Sequence, residues 1–292
     1  MLTDYHLHLR SDDLDATAAE HFTQANAERY RRVASERGIA ELGVSEHVYR
    51  FEQALEVWRH PFWRLNAHDD LDAYCAFVHE QTDLRLGIEA DFVPGREDRM
   101  AALLEARAFD YVVGAVHFVD EEAVDMDDYS VWSSNPAHPR SAEEIWRRYF
   151  QTLGEAARSG LFDILAHPDL VKVWGDERRL PEGDLRRYYE LAMDGIAESQ
   201  IAVEVSTAGL RRRVGELYPA PEFLRMCVEA GARVALSSDA HRPEDVGADY
   251  ERALELLGRL GVGELCVFER RARRMEPIGA SALTGPAEAG PP

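Results

Sequence analysis

Asp4-Tyr5-His6-Leu7-His8-Leu9 places two histidines two residues apart in a short apolar run near the start of the chain. On a β-strand, residues i and i+2 point to one face, so the two imidazoles converge. Alone, the pair fits a metal site and a surface accident equally well. Six later runs of strand length settle the reading: Ile39 to His47, Leu84 to Glu89, Tyr111 to His117, Phe162 to His167, Ile201 to Ser206 and Val234 to His241. All but the run ending at Ser206 deliver His, Glu or Asp at the C-terminal end.

Helical patterns separate these runs, over about 17–37 (closed by Gly38), 69–81, 96–108, 141–159, 182–199, 221–230 and 245–260, and a last strand-like run covers 264–268. Seven or eight alternations of strand and helix mark an α/β chain with a parallel sheet, either barrel or doubly wound. Ligand-type residues end many strands rather than one or two, which favours a closed, TIM-like β/α barrel. In a barrel, strand ends distant in sequence surround one point, and the loops after the strands carry the chemistry. Residues 49–68 break the pattern with Tyr49, Phe51, Trp58, Phe62 and Trp63, and are expected to fold over one end as a lid or packing flap. The barrel is expected to occupy 1–278, and the Gly-, Ala- and Pro-rich tail at 279–292 to be disordered.

The candidate site is His6, His8, His47, Glu89, His117, His167, Asp239 and His241. A single histidine is more often structural than a ligand. Six of the chain's 11 histidines nevertheless sit at strand ends, while His21, His60, His68, His79 and His138 do not. Imidazole and carboxylate together suit Zn, Fe or Mn. Eight ligands exceed the needs of one ion, so two or three divalent ions are expected, with Glu89 the natural bridge. Asp12, Asp13 and Asp15 offer a further carboxylate, or simply cap the next helix. Glu46 and Asp91 adjoin proposed ligands and are candidates to support them.

A formal charge of -21 and a pI near 4.9 oppose a nucleic-acid or anionic-membrane partner. A small substrate drawn to a locally positive site fits better. Cys75, Cys227 and Cys266 are odd in number and far apart, which suits a reducing, cytoplasmic setting. No basic segment leads into a long apolar one, and no stretch approaches the ~18 apolar residues of a membrane span.

His6-x-His8, Ser45-Glu46-His47, Gly87-Ile88-Glu89-Ala90-Asp91, Val116-His117-Phe118, His167-Pro168-Asp169 and Ser238-Asp239-Ala240-His241 resemble, in order, the motifs of the PHP (polymerase and histidinol phosphatase) superfamily. Ser206-Thr207-Ala208-Gly209-Leu210-Arg211 with Tyr218-Pro219 resembles its histidinol-phosphatase branch. The resemblance implies a distorted seven-stranded β/α barrel, a cluster of usually three metal ions, and hydrolysis of L-histidinol phosphate to histidinol and phosphate. It implies as ligands His6, His8, Asp13, His47, Glu89, His117, His167, Asp239 and His241, with Asp12 the alternative to Asp13. The ions would supply a nucleophile from water and neutralise the phosphoryl oxygens. Glu89 is assigned to the chemical step, and Asp239, His241 or a water at the ions would protonate the leaving alkoxide. Arg211 and Arg212, with Lys172 and Arg242 behind them, are the candidates for the outer phosphate oxygens, or form a solvated turn.

Overall fold

The apolar runs form strands where expected. In the computed structural model, which describes residues 1–13, 16–133, 140–175 and 179–279, they are β1 (Leu2–Asp4), β2 (Ile39–His47), β3 (Arg85–Asp91), β4 (Tyr111–Ala115), β5 (Phe118–Val119), β6 (Glu122–Ala123), β7 (Ile164–Leu165), β8 (Ala202–Ser206), β9 (Arg233–Ser237), β10 (Glu264–Glu269) and β11 (Ala272–Pro277). Seven of them form one sheet in the order β1-β2-β3-β4-β7-β8-β9, every pairing parallel. A parallel bridge from Leu7 to Ala240, with the His8 amide donating to the Ala240 carbonyl at 2.8 Å, brings the two edges together into a nearly closed barrel. The tail at 280–292 and Asp15 lie outside the described residues.

The helices are α1 (Ala18–His21), α2 (Gln24–Glu36), α3 (Pro61–Asn66), α4 (Leu71–Gln81), α5 (Glu97–Glu105), α6 (Ala142–Arg158), α7 (Arg186–Ser199), α8 (Pro221–Glu229) and α9 (Tyr250–Arg259). The pattern over 17–37 is two helices rather than one. Thr23 interrupts it because its side chain accepts the Asn26 amide, capping α2 afresh. α6 and α7 approach so closely that a Cβ on Gly195 would lie 2.3 Å from the Gly154 carbonyl oxygen.

The N-terminal end of the barrel is plugged by aromatic rings. Tyr111 fills its interior because Gly43 and Gly87 leave the space, where a Cβ would come within 2.4 Å of the Tyr111 hydroxyl and 2.3 Å of its ring, respectively. The run at 264–268 is not a barrel strand. It is half of the antiparallel β10–β11 hairpin, whose Phe268 packs edge-on against Tyr5 (5.6 Å) and donates its amide to the Tyr5 hydroxyl oxygen (3.2 Å). With that end sealed, only the C-terminal end is open for chemistry. Residues 49–68 cover part of it with 3-10 turns at Val48–Arg50 and Glu52–Glu56 and with α3, pinned by a Phe51–Asp69 bridge and an Arg10–Asp69 ion pair of 2.5 Å.

Candidate active site and metal centre

Parallel register brings the ligand candidates to one level. His47 is the direct partner of Glu89 across β2 and β3. His6 and His8 follow β1, His117 and His167 follow β4 and β7 by two residues, and Asp239 and His241 follow β9. His167 and Asp239 hold left-handed backbone, φ 22° and 49°, a conformation costly for residues with a Cβ and concentrated at functional sites.

The Glu89 carboxylate is the hub. Oε1 lies 3.1 Å from His167 Nε2 and 3.4 Å from both His6 Nε2 and His117 Nε2; Oε2 lies 3.7 Å from His8 Nε2 and contacts His47 Nδ1. Asp239 Oδ1 forms a second focus, 3.5 Å from His8 Nε2, 3.6 Å from His241 Nδ1 and 3.7 Å from His6 Nε2. Three groups result in which the ligand atoms lie within 4.8 Å of one another: His6–Glu89–His167, His6–His8–Asp239 and His8–His47–His241.

The chemistry of this set fits cations. His6 Nε2, both ring nitrogens of His8, His47 Nδ1, Glu89 Oε2, Asp239 Oδ1 and His241 Nε2 are buried without a hydrogen-bond partner. Orphaned buried polar atoms are rare and costly, and here they converge. Burial, with His47 and His241 beside it, holds the His8 ring well below its ordinary range, so the ring is neutral, the form in which imidazole can bind a cation. Burial works against ionised Glu89, yet His47, His6 and His117 hold its carboxyl well below the usual range. Burial likewise opposes a charge on His117, but Asp91 and Glu89 push it up to about 10, a measure of how strongly this pocket attracts positive charge. His6, His8, His47, Glu89, His117, His167, Asp239 and His241 are thus the residues that could hold metal.

A ring of carboxylates fixes these ligands from behind. Asp91 Oδ1 accepts from His117 Nδ1 (2.7 Å), which turns Nε2 inward. Glu46 accepts the Leu9 and Arg10 amides and pairs with Arg50, 3.9 Å from His8 Nδ1. Glu204 is the residue missed in the sequence. It accepts from His6 Nδ1 (2.8 Å), Ser237 Oγ (2.6 Å) and the His167 amide (2.5 Å). Its signal was there: the run ending at Ser206 lacks a terminal ligand but carries one charge, two residues earlier on the face that Ala202 turns into the barrel.

Several expectations shift. Asp13 turns to Ser11 (Oγ to Oδ2, 2.9 Å), whereas Asp12 Oδ2 lies 3.1 Å from His241 Nε2 and its Oδ1 4.0 Å from His47 Nε2, so Asp12 is the acid beside the cluster. Lys172 does not face the cavity. It is buried against Asp169 (2.9 Å), Glu216 (2.6 Å) and the Leu217 carbonyl (2.8 Å), because the loop after β8 folds over it. Lys172→Met should therefore destabilise the fold by roughly 3–5 kcal/mol, as expected when a buried ion pair loses one partner. A melting temperature unchanged from wild type would refute it. Arg211 donates to the Ser238 carbonyl (2.6 Å) and lies 3.7 Å from Asp245, bracing the loop of Asp239. Arg242 is exposed in a shallow depression beside His241. Arg212 alone of the four lines the cavity at the barrel mouth, of about 650 Å³, with His47, Glu89, His117, His167, Asp239 and His241. Tyr49, Phe62 and Leu65 of the aromatic segment form its wall, Tyr49 stacked on His47 at 4.7 Å.

A β/α barrel with clustered histidines and carboxylates in its open mouth is the arrangement of a barrel metallohydrolase. The profile of the PHP domain matches residues 6–208, and the chain belongs to the PHP domain family. It is 32% identical over 255 residues to the probable histidinol-phosphatase of Deinococcus radiodurans, covering 85% of this chain and 91% of that one. Its fold resembles the crystal structure of histidinol phosphate phosphatase from Lactococcus lactis subsp. lactis, complexed with Zn, L-histidinol and phosphate (TM-score 0.67, 17% identity, 94% of this chain and 98% of that one). It also resembles the putative histidinol phosphatase of Listeria monocytogenes (TM-score 0.66, 16% identity, 86% and 99% of the chains). Among the described residues, no helix is long and apolar enough to cross a membrane.

Proposed function

We propose that L-histidinol phosphate is the substrate of this PHP metallophosphatase, which hydrolyses it to L-histidinol and phosphate. The observation that carries the reading is the set of buried, unpartnered ring nitrogens and carboxylate oxygens around Glu89 and Asp239, opening into a cavity with Arg212 on its wall. The relatives' names and the L. lactis complex support the choice of ester.

Two or three divalent ions (Zn, Fe or Mn) held by the six histidines, Glu89, Asp239 and Asp12 would supply positive charge for the phosphoryl oxygens and acidify water to a nucleophile. Glu89 and Asp239 bring negative charge to the centre, and Glu204, Asp91 and Glu46 fix the imidazoles around them. Arg212, exposed and without a carboxylate partner among the described residues, binds the outer phosphate oxygens. Asp239 and His241, both on the cavity wall, are the chain's own groups placed to return a proton to the leaving alkoxide.

If Arg212 has this role, Arg212→Ala lowers kcat/KM roughly ten- to a thousandfold, since a hydrogen bond to a charged group is worth ~1.5–3 kcal/mol and more when desolvated. Metal content should stay normal, and unchanged kinetics would return Arg212 to the solvated surface.

The test of the substrate is phosphate release by protein of known metal content. Histidinol phosphate should be cleaved with much higher kcat/KM than nucleoside monophosphates or oligonucleotides, the latter meeting a chain of charge -21 with every phosphate of the strand. Equal efficiency, or preference for a nucleotide, would reject histidinol phosphate in favour of a broader small-ester phosphatase.

A further inference from the structure

The cavity wall carries charges of both signs. Arg10 and Arg50 on its wall are already spent, Arg10 on Asp69 and Arg50 on Glu46 and Asp12. Arg212 is left as the cation with no carboxylate partner among the described residues. The loop after His117 also reaches the wall, through Asp125 and Met126. Its carboxylates are engaged on the outer surface: Asp120 with Arg148 (2.6 Å), Glu121 with Arg96 (3.1 Å) and Glu122 with Arg140 (2.8 Å). Asp127 and Asp128 are exposed and do not line the cavity. Asp125 differs from all of them. It lines the cavity with His117, His167 and Met126, and its Oδ1 is buried without a hydrogen-bond partner. It belongs to none of the three groups of closely spaced ligand atoms.

The backbone in front of Asp125 is clamped. Two indoles, Trp132 Nε1 and Trp174 Nε1, each donate to the single Val124 carbonyl at 2.8 Å, while the Val124 amide donates to the His117 carbonyl at 2.9 Å. Arg179 lies over the Trp174 ring at 4.3 Å. A carbonyl that accepts two indole donors is fixed in direction, and so is the residue that follows it. A carboxylate held rigidly in a cavity with an open oxygen is built to receive a donor from outside the chain.

We propose that Asp125, positioned by Trp132 and Trp174, receives a cationic nitrogen on the alcohol side of the substrate and restricts the enzyme to phosphate esters of amino alcohols. The inference rests on the phosphatase reading above and deepens it. A primary ammonium or an imidazolium satisfies Asp125 Oδ1, whereas an uncharged alkyl or aryl group buries it unpaired, which is the stronger ground for discrimination.

The experiment compares kcat/KM for histidinol phosphate and phenyl phosphate in wild type, Asp125→Asn and Trp174→Phe, with the metal content of each measured. Asn keeps the shape and removes the charge, so the preference for histidinol phosphate over phenyl phosphate should fall at least about tenfold, mainly through KM. Phe keeps the ring and removes one clamp donor, so Trp174→Phe should shift the same ratio in the same direction by less, and Trp132→Phe serves equally if that variant fails to fold. An unchanged ratio in Asp125→Asn overturns the proposal, as does loss of metal with equal loss on both esters, which would make Asp125 a ligand. Should wild type fail to cleave histidinol phosphate, the substrate assignment falls separately. O-phosphoethanolamine against ethyl phosphate then decides the role of Asp125 by the same ratio.

Discussion

Glu89→Gln should lose metal and turnover together, with kcat/KM down at least about a thousandfold, equivalent to ~4 kcal/mol of lost transition-state stabilisation. Glu89 is within 3.7 Å of four imidazoles through Nε2 and touches a fifth through His47 Nδ1. An amide of the same shape has one acceptor oxygen and no charge, so it cannot bridge two cations. Its NH2 would also point donors at ring nitrogens that must stay unprotonated to bind metal. Elemental analysis and phosphate release measured on the same preparation test this, and full activity in the variant would remove Glu89 from the centre.

Removing the metal from wild-type protein should have an effect of similar size. Active protein is expected to hold more than one equivalent of transition metal, and chelation should abolish activity. It should also lower the melting temperature by on the order of 5–10 °C, because ligands that bind only the folded state stabilise it by mass action. The physical reason lies in the buried set: without cations, Glu89 and Asp239 face neutral His8 and the other imidazoles across atoms that lack hydrogen-bond partners. Fully active protein with at most one ion per chain would defeat the multinuclear reading, and an unchanged melting temperature after chelation would show that the cluster is satisfied without metal.

Much of this was readable in the sequence because the relevant information is periodic. Alternation along a strand sends His6 and His8 to one face, and a run such as Tyr111 to Val116 announces that the residue after it, His117, stands at a strand end. The run at 264–268 has the composition of a strand, but its place in a hairpin is not legible there. Nothing local to Glu264–Phe268 distinguishes a barrel strand from a plug; the contact with Tyr5, far away in sequence, does. Thr23 broke the helical pattern by capping, a signal outweighed by the apolar spacing on either side of it.

By itself, then, the sequence determined the parallel β/α architecture and the eight His, Glu and Asp residues around its mouth, since residue type and period two are local properties. Tertiary structure alone decided which neighbour in an irregular turn approaches the site: Asp12 rather than Asp13 beside His241, and Asp125 rather than Asp127 on the cavity wall. It also decided that Lys172 is consumed by Asp169 and Glu216 while Arg212 has no carboxylate partner among the described residues, and that Glu204 stands behind His6 from 198 residues away. Turns have no fixed period, and a charge is spent or available according to which partner the fold delivers, so neither outcome is written in the residues on either side.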